Sequence, residues 1–418
     1  MVPNGWTLTS LGKLCDINPK KLKKPENGKV SFIAMNQLSE EGQLISHLPR
    51  EYEEVSKGFT SFKDGDVLVA KITPCFENGK GALVNDLING IGFGSTEFHV
   101  LRAKENTSPE FIYYLTRTQE LRVRGENNMQ GSAGHRRVTA DYFQAYKVLT
   151  PPLPEQRKIA KTLSTWDKAI STTERLIDNS KQQKKALMQQ LLTGKKRLLD
   201  DSGKPFEGEW EEVKLGDLFS LLKSGLSRKL LDENVGVAVI RSNNMGSQFT
   251  TNKDLKFWYA DDPQGANTQN YLLDDGDILI NFINSLSQIG KTCIFREIGD
   301  VKSIYTTNIL RAKPNTSLVQ RDYLFYLTKT QRYLSHIKAI TKPAVNQASF
   351  TTKDFGNFTF KIPSLLEQQK IAAVLTNTDK EIELLEQQLA DLKQEKKALM
   401  QQLLTGKRRV TVDDKEVA

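Results

Sequence analysis

Two long stretches of the chain carry apolar residues that alternate in steps of four and three, over about five heptads each. Such an alternation is typical of a coiled-coil seam, in which two helices bury an apolar stripe between them. The register also includes polar residues, and Lys184 and Lys396 occupy equivalent positions in it. We predict that the seam consists of Ile159, Leu163, Trp166, Ile170, Ile177, Leu187 and Leu191 in the first helix and of Ile371, Leu375, Ile382, Leu385, Leu389, Leu392, Leu399 and Leu403 in the second.

Proline and glycine mark the ends of both stretches. Pro154 and Pro363 stand at the starts, and Gly194 and Gly406 follow the ends, as is usual at helix termini. A helix of about 39 residues is about 58 Å long, and on its own it would expose too much apolar surface. We therefore predict that the two helices pair as an antiparallel coiled coil. An alternative is that each helix packs on its own domain, and packing against a separate protein is compatible with both arrangements.

The chain is a tandem duplication. The segment "KKALMQQLLTGK" occurs at Lys184–Lys195 and again, unchanged, at Lys396–Lys407, 212 residues further along. Weaker repeats precede it, and this period is far longer than that of solenoid repeats, so we predict two domains, each followed by one helix. The predicted bounds are 1–152 and 197–363 for the globular domains, 153–196 and 364–408 for the helices, and 409–418 for a polar tail.

Within each domain, apolar periodicity changes from short runs to helical spacing. The runs Val67–Ala70 and Ile278–Ile280 each follow Asp-Gly-Asp, which indicates a buried strand after a tight turn. The segments "PEFIYYLTRTQELR" and "RDYLFYLTKTQRYL" have the pattern of matching amphipathic helices. The predicted fold class is α+β, with two globular domains of mixed α/β structure and two long helices that form an antiparallel coiled coil.

Composition and charge narrow the choice of partners. The net charge is +9, and residues 151–197 carry eleven basic against four acidic side chains, which fits either a solvated helix face or a surface that faces phosphates. No apolar run approaches the roughly 20 residues that span a bilayer, and the start lacks a secretory signal, so we expect a cytoplasmic protein without membrane contact. The three cysteines and four histidines show no metal-ligand spacing, so we expect no metal site.

The chain resembles the specificity subunits of type I restriction-modification systems. The resemblance covers nearly the whole chain and is carried by the helix starts at 152–160 and 364–372, the "ALMQQLLTGK" helix ends, the openings "GWTLTSLGKL" and "EWEEVKLGDL", and the strands "GDVLVAK" and "GDILINF". Two details depart from a strict repeat: the second helix starts "PSLLEQQ" where the first has "PPLPEQR", and Thr378 stands where the first seam has Trp166.

This resemblance implies a non-catalytic subunit that reads double-stranded DNA. Each globular domain would be a target recognition domain for one half of an asymmetric bipartite site, and the helices would be a spacer that docks two methyltransferase (modification) subunits. Restriction/translocase subunits would join them. The chain would hold no cofactor of its own, since S-adenosylmethionine, ATP and Mg would belong to the partner subunits. An antiparallel helix pair would also keep two domains a set distance apart, which suits half-sites on a duplex.

Polar loops with glycine or proline are the candidate DNA-binding segments, because arginine can fork onto guanine and asparagine or glutamine onto adenine. Solvated surface loops are the alternative interpretation. The candidates in the first domain are Asn36, Lys71, Thr73, Asn78, Lys80, His135, Arg136 and Arg137. Those in the second domain are Arg241, Asn243, Asn284, Ser285, Gln288, Lys291, Lys342, Asn346 and Gln347.

Two functions other than a DNA-binding subunit are compatible with a two-domain chain of this kind. One is a self-contained DNA enzyme; however, "SLSQIGKT" lacks the first glycine of a phosphate-binding loop, and the amino-methyltransferase signature does not occur. Asp64, Asp66 and Lys71 fit a tight turn better than a nuclease centre, because the lysine is missing from the second copy. The other function is a structural adaptor that joins proteins through its coiled coil without reading DNA.

Overall fold

The computed structural model describes residues 2–132, 134–344 and 347–412. The chain forms two compact units: unit 1 consists of Met1–Glu174 and Gln387–Ala418, and unit 2 consists of Arg175–Glu386. Each long helix contributes one part to each unit, and the predicted domain bounds stay a prediction. In the part of the chain that the structure describes, every helix is too short or too polar to cross a membrane.

Unit 1 places short strands before a series of short helices and then enters the first long helix. Its strands are β1 (Thr7–Ser10), β2 (Cys15–Ile17), β3 (Lys29–Ile33), β4 (Leu48–Glu51), β5 (Thr60–Lys63), β6 (Asp66–Ala70), β7 (Gly81–Leu83), β8 (Ile91–Gly94), β9 (Phe98–Ala103) and β10 (Lys147–Thr150). Its helices are α1 (Leu11–Leu14), α2 (Tyr52–Val55), α3 (Pro109–Thr116), α4 (Gln119–Asn127), α5 (Ala140–Ala145) and the start of α6 (Leu153–Leu191).

Unit 2 repeats this order. Its strands are β11 (Glu211–Lys214), β12 (Phe219–Ser224), β13 (Gly236–Ile240), β14 (Lys256–Tyr259), β15 (Ile278–Asn281), β16 (Ile283–Asn284), β17 (Thr292–Ile294), β18 (Ser303–Tyr305), β19 (Ile309–Pro314), β20 (Lys342–Pro343), β21 (Ala348–Ser349) and β22 (Thr359–Ile362). Its helices are α7 (Arg321–Leu327), α8 (Gln331–Ile340), α9 (Thr352–Gly356) and the start of α10 (Leu365–Leu403).

Three sheets of unit 1 have a counterpart in unit 2. An antiparallel sheet has the order β2-β9-β6-β7 in unit 1 and β12-β19-β15-β17 in unit 2. A mixed sheet has the order β4-β3-β8-β5 in unit 1 and β14-β13-β18 in unit 2, and β3/β8 and β13/β18 are its parallel pairs. A two-stranded sheet, β1-β10 or β11-β22, leads into the long helix. Unit 2 also has a small sheet, β16-β21-β20.

The Asp-Gly-Asp turns anchor the buried central strands β6 and β15, as predicted. Gly65 and Gly276 adopt positive φ angles of 82° and 90°, which glycine tolerates without strain. The fully buried Asp66 accepts two hydrogen bonds from Arg102 on β9, at 2.8 and 2.7 Å. Asp277 likewise accepts from Arg311 on β19 at 2.6 Å. Because these aspartates are used inside the sheet, they serve its structure.

The two predicted amphipathic helices were wrong in one respect, since each is broken into two. In unit 1, α3 ends at Thr116 and α4 begins at Gln119, because the Thr118 hydroxyl caps α4 by accepting from the Leu121 N–H at 3.4 Å. In unit 2, Thr330 caps α8 by accepting from the Tyr333 N–H at 3.3 Å. A capping threonine offers the backbone an alternative to continuing the first helix.

Each unit contains one antiparallel pair of long-helix segments, which confirms the predicted fold class. In unit 1, Glu174 of α6 pairs with Lys393 of α10 at 2.7 Å, and the earlier Asp167 pairs with the later Lys396. In unit 2, Lys181 pairs with Glu386 at 2.6 Å, and Lys184 pairs with Asp379. In both units the partner numbers fall as the α6 numbers rise, as antiparallel packing requires. Every predicted seam residue is buried or partly buried.

The helix pair of each unit shares a core with the sheets. Ile159, Leu163 and Leu403 lie in the apolar core of unit 1, together with Trp6 and Leu11. Leu191, Ile371 and Leu375 lie in the corresponding core of unit 2. Burial of these side chains therefore stabilises the helix pair and the globular part at once.

Polar contacts repeat the same attachment. The Tyr114 hydroxyl donates to Asp167 at 2.6 Å in unit 1, and Tyr326 donates to Asp379 at 2.7 Å in unit 2. Each of these aspartates also pairs with the seam lysine of the facing helix, so a tyrosine, an aspartate and a lysine join three elements. The polar interruptions of the predicted seam, Lys184 and Lys396, thus have a structural use.

Candidate nucleic-acid interface

In unit 1, two of the candidate DNA-binding segments lie side by side: the loop after β6 and the segment that contains Arg136 and Arg137. Arg137 forms backbone bridges with both Ile72 and Gln130, so the pair Gln130–Arg137 closes a hairpin that lies against the loop after β6. The Thr73 N–H donates to the Arg136 carbonyl at 3.0 Å, and the Val138 N–H donates to the Lys71 carbonyl at 2.9 Å. The backbone therefore places Lys71 and Thr73 next to Arg136 and Arg137.

Unit 2 repeats this arrangement as a small sheet. Ser349 pairs with Ile283 on one side and with Lys342 on the other, so the hairpin β20-β21 lies against the loop after β15. The Phe350 N–H donates to the Phe282 carbonyl at 3.4 Å, which matches the Val138–Lys71 bond of unit 1. The same pair of loops therefore meets in both units, although their side chains differ.

Arg137 is held by a carboxylate that sequence reasoning missed. Its Nε and Nη2 atoms donate to the two oxygens of Glu97 at 3.0 and 2.8 Å. Its Nη1 atom donates to the His135 carbonyl at 2.9 Å. The hydrogen bonds from Arg137 hold the pKa of Glu97 below its usual value, so the pair is fully charged near neutral pH.

Glu77 is a second carboxylate within the predicted unit 1 loops. It accepts from the Thr73 hydroxyl at 2.6 Å and lies 3.7 Å from the Arg136 guanidinium. Its other oxygen, Oε2, is buried without a hydrogen-bond partner among the residues that the structure describes. Two arginines of the hairpin therefore each face one acidic side chain.

In unit 1, the loop that follows Asn36 touches the loop after β6. Asn36 is exposed on a short 3₁₀ helix, Met35–Gln37, whose Gln37 side chain caps the Ala34 N–H. The Asn78 amide donates to Glu40, just beyond this helix, at 2.9 Å. Lys80 is partly exposed at the end of the loop that follows β6.

In unit 2, the loop that contains Arg241 and Asn243 is hydrogen-bonded to the loop after β15 through a serine hydroxyl. Ser242 donates to the buried Asn281 at 2.8 Å and accepts from Asn284 at 3.0 Å. The neighbouring Arg241 is paired with Asp254 at 3.0 Å, whereas Asn243 is exposed. Asn284 is thus oriented by internal hydrogen bonds.

The remaining candidates of unit 2 are exposed at the loop tips. These are Ser285, Gln288, Lys291, Lys342 and Gln347, and Lys291 donates to Gln288 at 2.7 Å. Asn346 lies outside the described residues. At these loops, unit 2 therefore presents amides, a hydroxyl and lysines, where unit 1 presents arginines paired with carboxylates.

The arrangement suits recognition by hydrogen bonds. Among residues 2–132, 134–344 and 347–412, no group of three or more His, Cys, Asp or Glu side chains is placed to hold a metal ion. Forked guanidinium groups match the two acceptors of guanine, and amides match the donor and acceptor of adenine. The two units therefore offer different hydrogen-bonding surfaces on one backbone frame. Sequence reasoning missed Glu97 and Ser242, because their partners Arg137 and Asn281 are distant in sequence and only the fold brings them together.

Comparison with known proteins places both halves of the chain in one family. The family model described as "Type I restriction modification DNA specificity domain" matches residues 3–180 and again residues 207–394. The type I restriction enzyme EcoAI specificity subunit of Escherichia coli is 24% identical over 424 residues, which cover 80% of this chain and 71% of that protein.

Solved structures share the fold. A chain from a structure of type I R-M complex assembly and conformational transition has a TM-score of 0.60 at 22% identity, with 98% of this chain and 100% of that chain covered. The HsdS subunit from Thermoanaerobacter tengcongensis has a TM-score of 0.52 at 22% identity, with 97% and 98% covered. At this identity the likeness concerns the fold alone.

Proposed function

The chain belongs to the family of type I restriction modification DNA specificity domains, and from this premise we propose that it is the specificity subunit of such a system. In this proposal, unit 1 and unit 2 each bind one half of a bipartite sequence in double-stranded DNA. The chain supplies recognition, and the chemistry belongs to its partners.

One observation carries the proposal. Both units bring the loop after the Asp-Gly-Asp strand against a later hairpin, with equivalent backbone contacts at Arg137 and at Ser349. The side chains at the equivalent positions differ, whereas the segment "KKALMQQLLTGK" at the ends of the two long helices is identical. A shared frame with different donors and acceptors is expected to read different bases, so the two half-sites form an asymmetric sequence.

We propose partners of two kinds. Two methyltransferase subunits would dock on the helix pair, and restriction/translocase subunits would join this core. S-adenosylmethionine, ATP and Mg would be bound by those subunits, in the cytoplasm. The repeated lysine-rich helix segments support this part, because their outward faces are exposed and highly charged.

The test is a footprint of the full chain, purified with the subunits that accompany it. Random-sequence DNA would be selected by binding, and the selected duplex would then be probed with hydroxyl radicals. We expect two protected half-sites separated by an unprotected spacer. Replacing Arg136 and Arg137 by alanine should blur one half-site, and replacing Gln288 and Lys291 by alanine should blur the other.

Two outcomes would contradict the proposal. A continuous or sequence-independent footprint would favour the structural adaptor. Methyl transfer from labelled S-adenosylmethionine by the chain alone, without any partner subunit, would favour a self-contained enzyme.

A further inference from the structure

In the ion pair between Arg137 and Glu97, the guanidinium group is held by hydrogen bonds and is still partly exposed to solvent. The Arg137 side chain is 42% exposed and the Glu97 side chain is 25% exposed, although both partners are joined by two hydrogen bonds. Most ion pairs at a protein surface lack this two-bond geometry, and they contribute little to stability. The fork here lies at the hairpin that the proposed function assigns to DNA.

Counting the donors of Arg137 shows what stays available. A guanidinium group carries five N–H donors. Glu97 takes one on Nε and one on Nη2, and the His135 carbonyl takes one on Nη1. Among the residues that the structure describes, no further acceptor is bonded to this guanidinium, so one N–H on Nη1 and one on Nη2 are left. The major-groove edge of guanine presents two acceptors, O6 and N7, to such a pair.

The surrounding backbone keeps this group in place. The Arg137 N–H donates to the Gln130 carbonyl at 2.8 Å, and the Arg137 carbonyl accepts from the Gln130 N–H at 2.9 Å. The Glu97 carbonyl accepts from the Lys71 N–H at 2.9 Å, and the Glu97 N–H donates to the Ser95 hydroxyl at 3.1 Å. A side chain that is already ordered loses less conformational entropy on binding.

Unit 2 has different chemistry at both positions. Ser349 stands where unit 1 has Arg137, and Asn308 stands where it has Glu97, as their backbone partners Ile283 and Phe282 show. The Asn308 amide is used internally, since it donates to the Ile283 carbonyl at 3.2 Å. The forked cation is therefore a property of unit 1.

We infer that Arg137, positioned by Glu97, reads one guanine in the half-site that unit 1 binds. Arg137 is the specificity-determining residue and Glu97 is a positioning residue that acts through it. This inference rests on the proposed function and adds a base and an asymmetry to it: the equivalent place in the other half-site has no such guanine requirement.

The experiment uses the full chain with its accompanying subunits and the duplex obtained by selection. Each guanine of the two half-sites is replaced in turn by 7-deazaguanine, which lacks the N7 acceptor, or by adenine. For the wild-type protein, we expect one guanine in one half-site at which adenine weakens binding roughly 10- to 100-fold. At that position 7-deazaguanine should weaken binding by roughly tenfold.

Variants then connect this base to the ion pair. Arg137→Ala should bind guanine, 7-deazaguanine and adenine equally at that position, because alanine carries no donor. Arg137→Lys should keep only part of the guanine preference, because a single ammonium can donate to guanine but cannot form the planar fork. Glu97→Gln should reduce the guanine preference while retaining weak binding. Asn308→Ala, the matched change in unit 2, should leave the preference unchanged. Thermal unfolding of each variant shows whether the fold is retained, and Arg137→Lys keeps the charge if Arg137→Ala unfolds.

Distinct results separate failure of the inference from failure of the function. Equal loss of affinity on all sequences, with a weaker salt dependence, would show that Arg137 contacts phosphate and would overturn the inference. An unchanged guanine preference in Arg137→Ala would show a purely structural ion pair. If the wild-type protein selected no bipartite sequence at all, the proposed function itself would be wrong.

Discussion

His99 is a buried residue that links the core of unit 1 to the candidate interface. Its Nε2 atom lies 2.9 Å from the Val138 carbonyl, next to Arg137, and its Nδ1 atom lies 3.0 Å from the Asn18 amide nitrogen. The carbonyl needs a donor and the amide needs an acceptor, so the neutral ring with its proton on Nε2 satisfies both. Burial lowers the pKa of His99 below its usual value. Protonation would put a hydrogen on Nδ1, where the neutral ring accepts from the Asn18 amide.

We predict that acidification destabilises unit 1 through His99. Below pH about 6.5 the unfolded chain takes up a proton that the folded ring resists, so the free energy of unfolding falls as the pH falls. His99→Leu copies Leu310, which faces the equivalent strand position in unit 2. The melting temperature of this variant should fall less steeply between pH 6.5 and 5 than that of the wild type.

The exposed His135 provides the control for this prediction. His135→Leu leaves the hydrogen bonds of His99 to Val138 and Asn18 intact, so it should keep the wild-type profile. Calorimetric curves that run parallel for the wild type and His99→Leu would contradict the assigned role of His99.

At the scale of elements, the sequence predicted the long helices, the Asp-Gly-Asp strands and the duplication, because each depends on a local or periodic pattern. The family resemblance and the fold class are both confirmed. The sequence did not predict the break at Thr118, since a threonine after an apolar run is also compatible with a continuous helix. Glu97 was missed for another reason: its partner Arg137 is distant in sequence, and only the folded sheet brings them together.

The candidate site was therefore predicted only in outline. The paired loops were chosen for their donors and glycines, and the backbone brings them together in both units. Which donors are free was not predictable, because Arg241 and Asn284 are bonded to residues outside their own loops or turns. The DNA contacts themselves stay a prediction.

The tyrosine–aspartate–lysine contacts lead to a prediction for the helix pair. Asp167→Ala leaves the Tyr114 hydroxyl without its acceptor and the ammonium of Lys396, whose side chain is only 13% exposed, without this partner. We expect the free energy of unfolding to fall by about 1–3 kcal/mol, because the unpaired groups stay partly desolvated. Asp379→Ala should have a similar effect in unit 2, measured by chemical denaturation.

Glu174 supplies the matched control on the same helix. Its pair with Lys393 is 40% and 48% exposed, so Glu174→Ala should change stability by less than about 1 kcal/mol. If Asp167→Ala and Glu174→Ala had the same effect, the three-element contact would contribute nothing beyond a surface ion pair.

At the scale of the whole molecule, the helices are expected to set the separation of the two half-sites. Inserting one heptad after Glu174 in α6 and one after Glu386 in α10 preserves the antiparallel seam, because a whole heptad restores the apolar register. Seven residues add about 10.5 Å of helix, or about three base pairs at about 3.4 Å each. Selection of DNA by this variant should yield a spacer lengthened by roughly that amount.

An insertion of seven residues beside Gly203 is the control, because this glycine is exposed in a loop of unit 2. It should leave the spacer unchanged. A spacer that did not respond to the helix insertions would show that the helices do not measure the distance.

The identical attachment of the two units has an evolutionary consequence. Tyr114 and Tyr326 contact their helix pairs through equivalent aspartate–lysine pairs, and therefore either globular part would fit at either place in the chain. A gene rearrangement could then replace one globular domain by that of another protein. One half-site of the proposed target would change, and the other would stay the same. Doubling a single reader would convert the target into a palindrome.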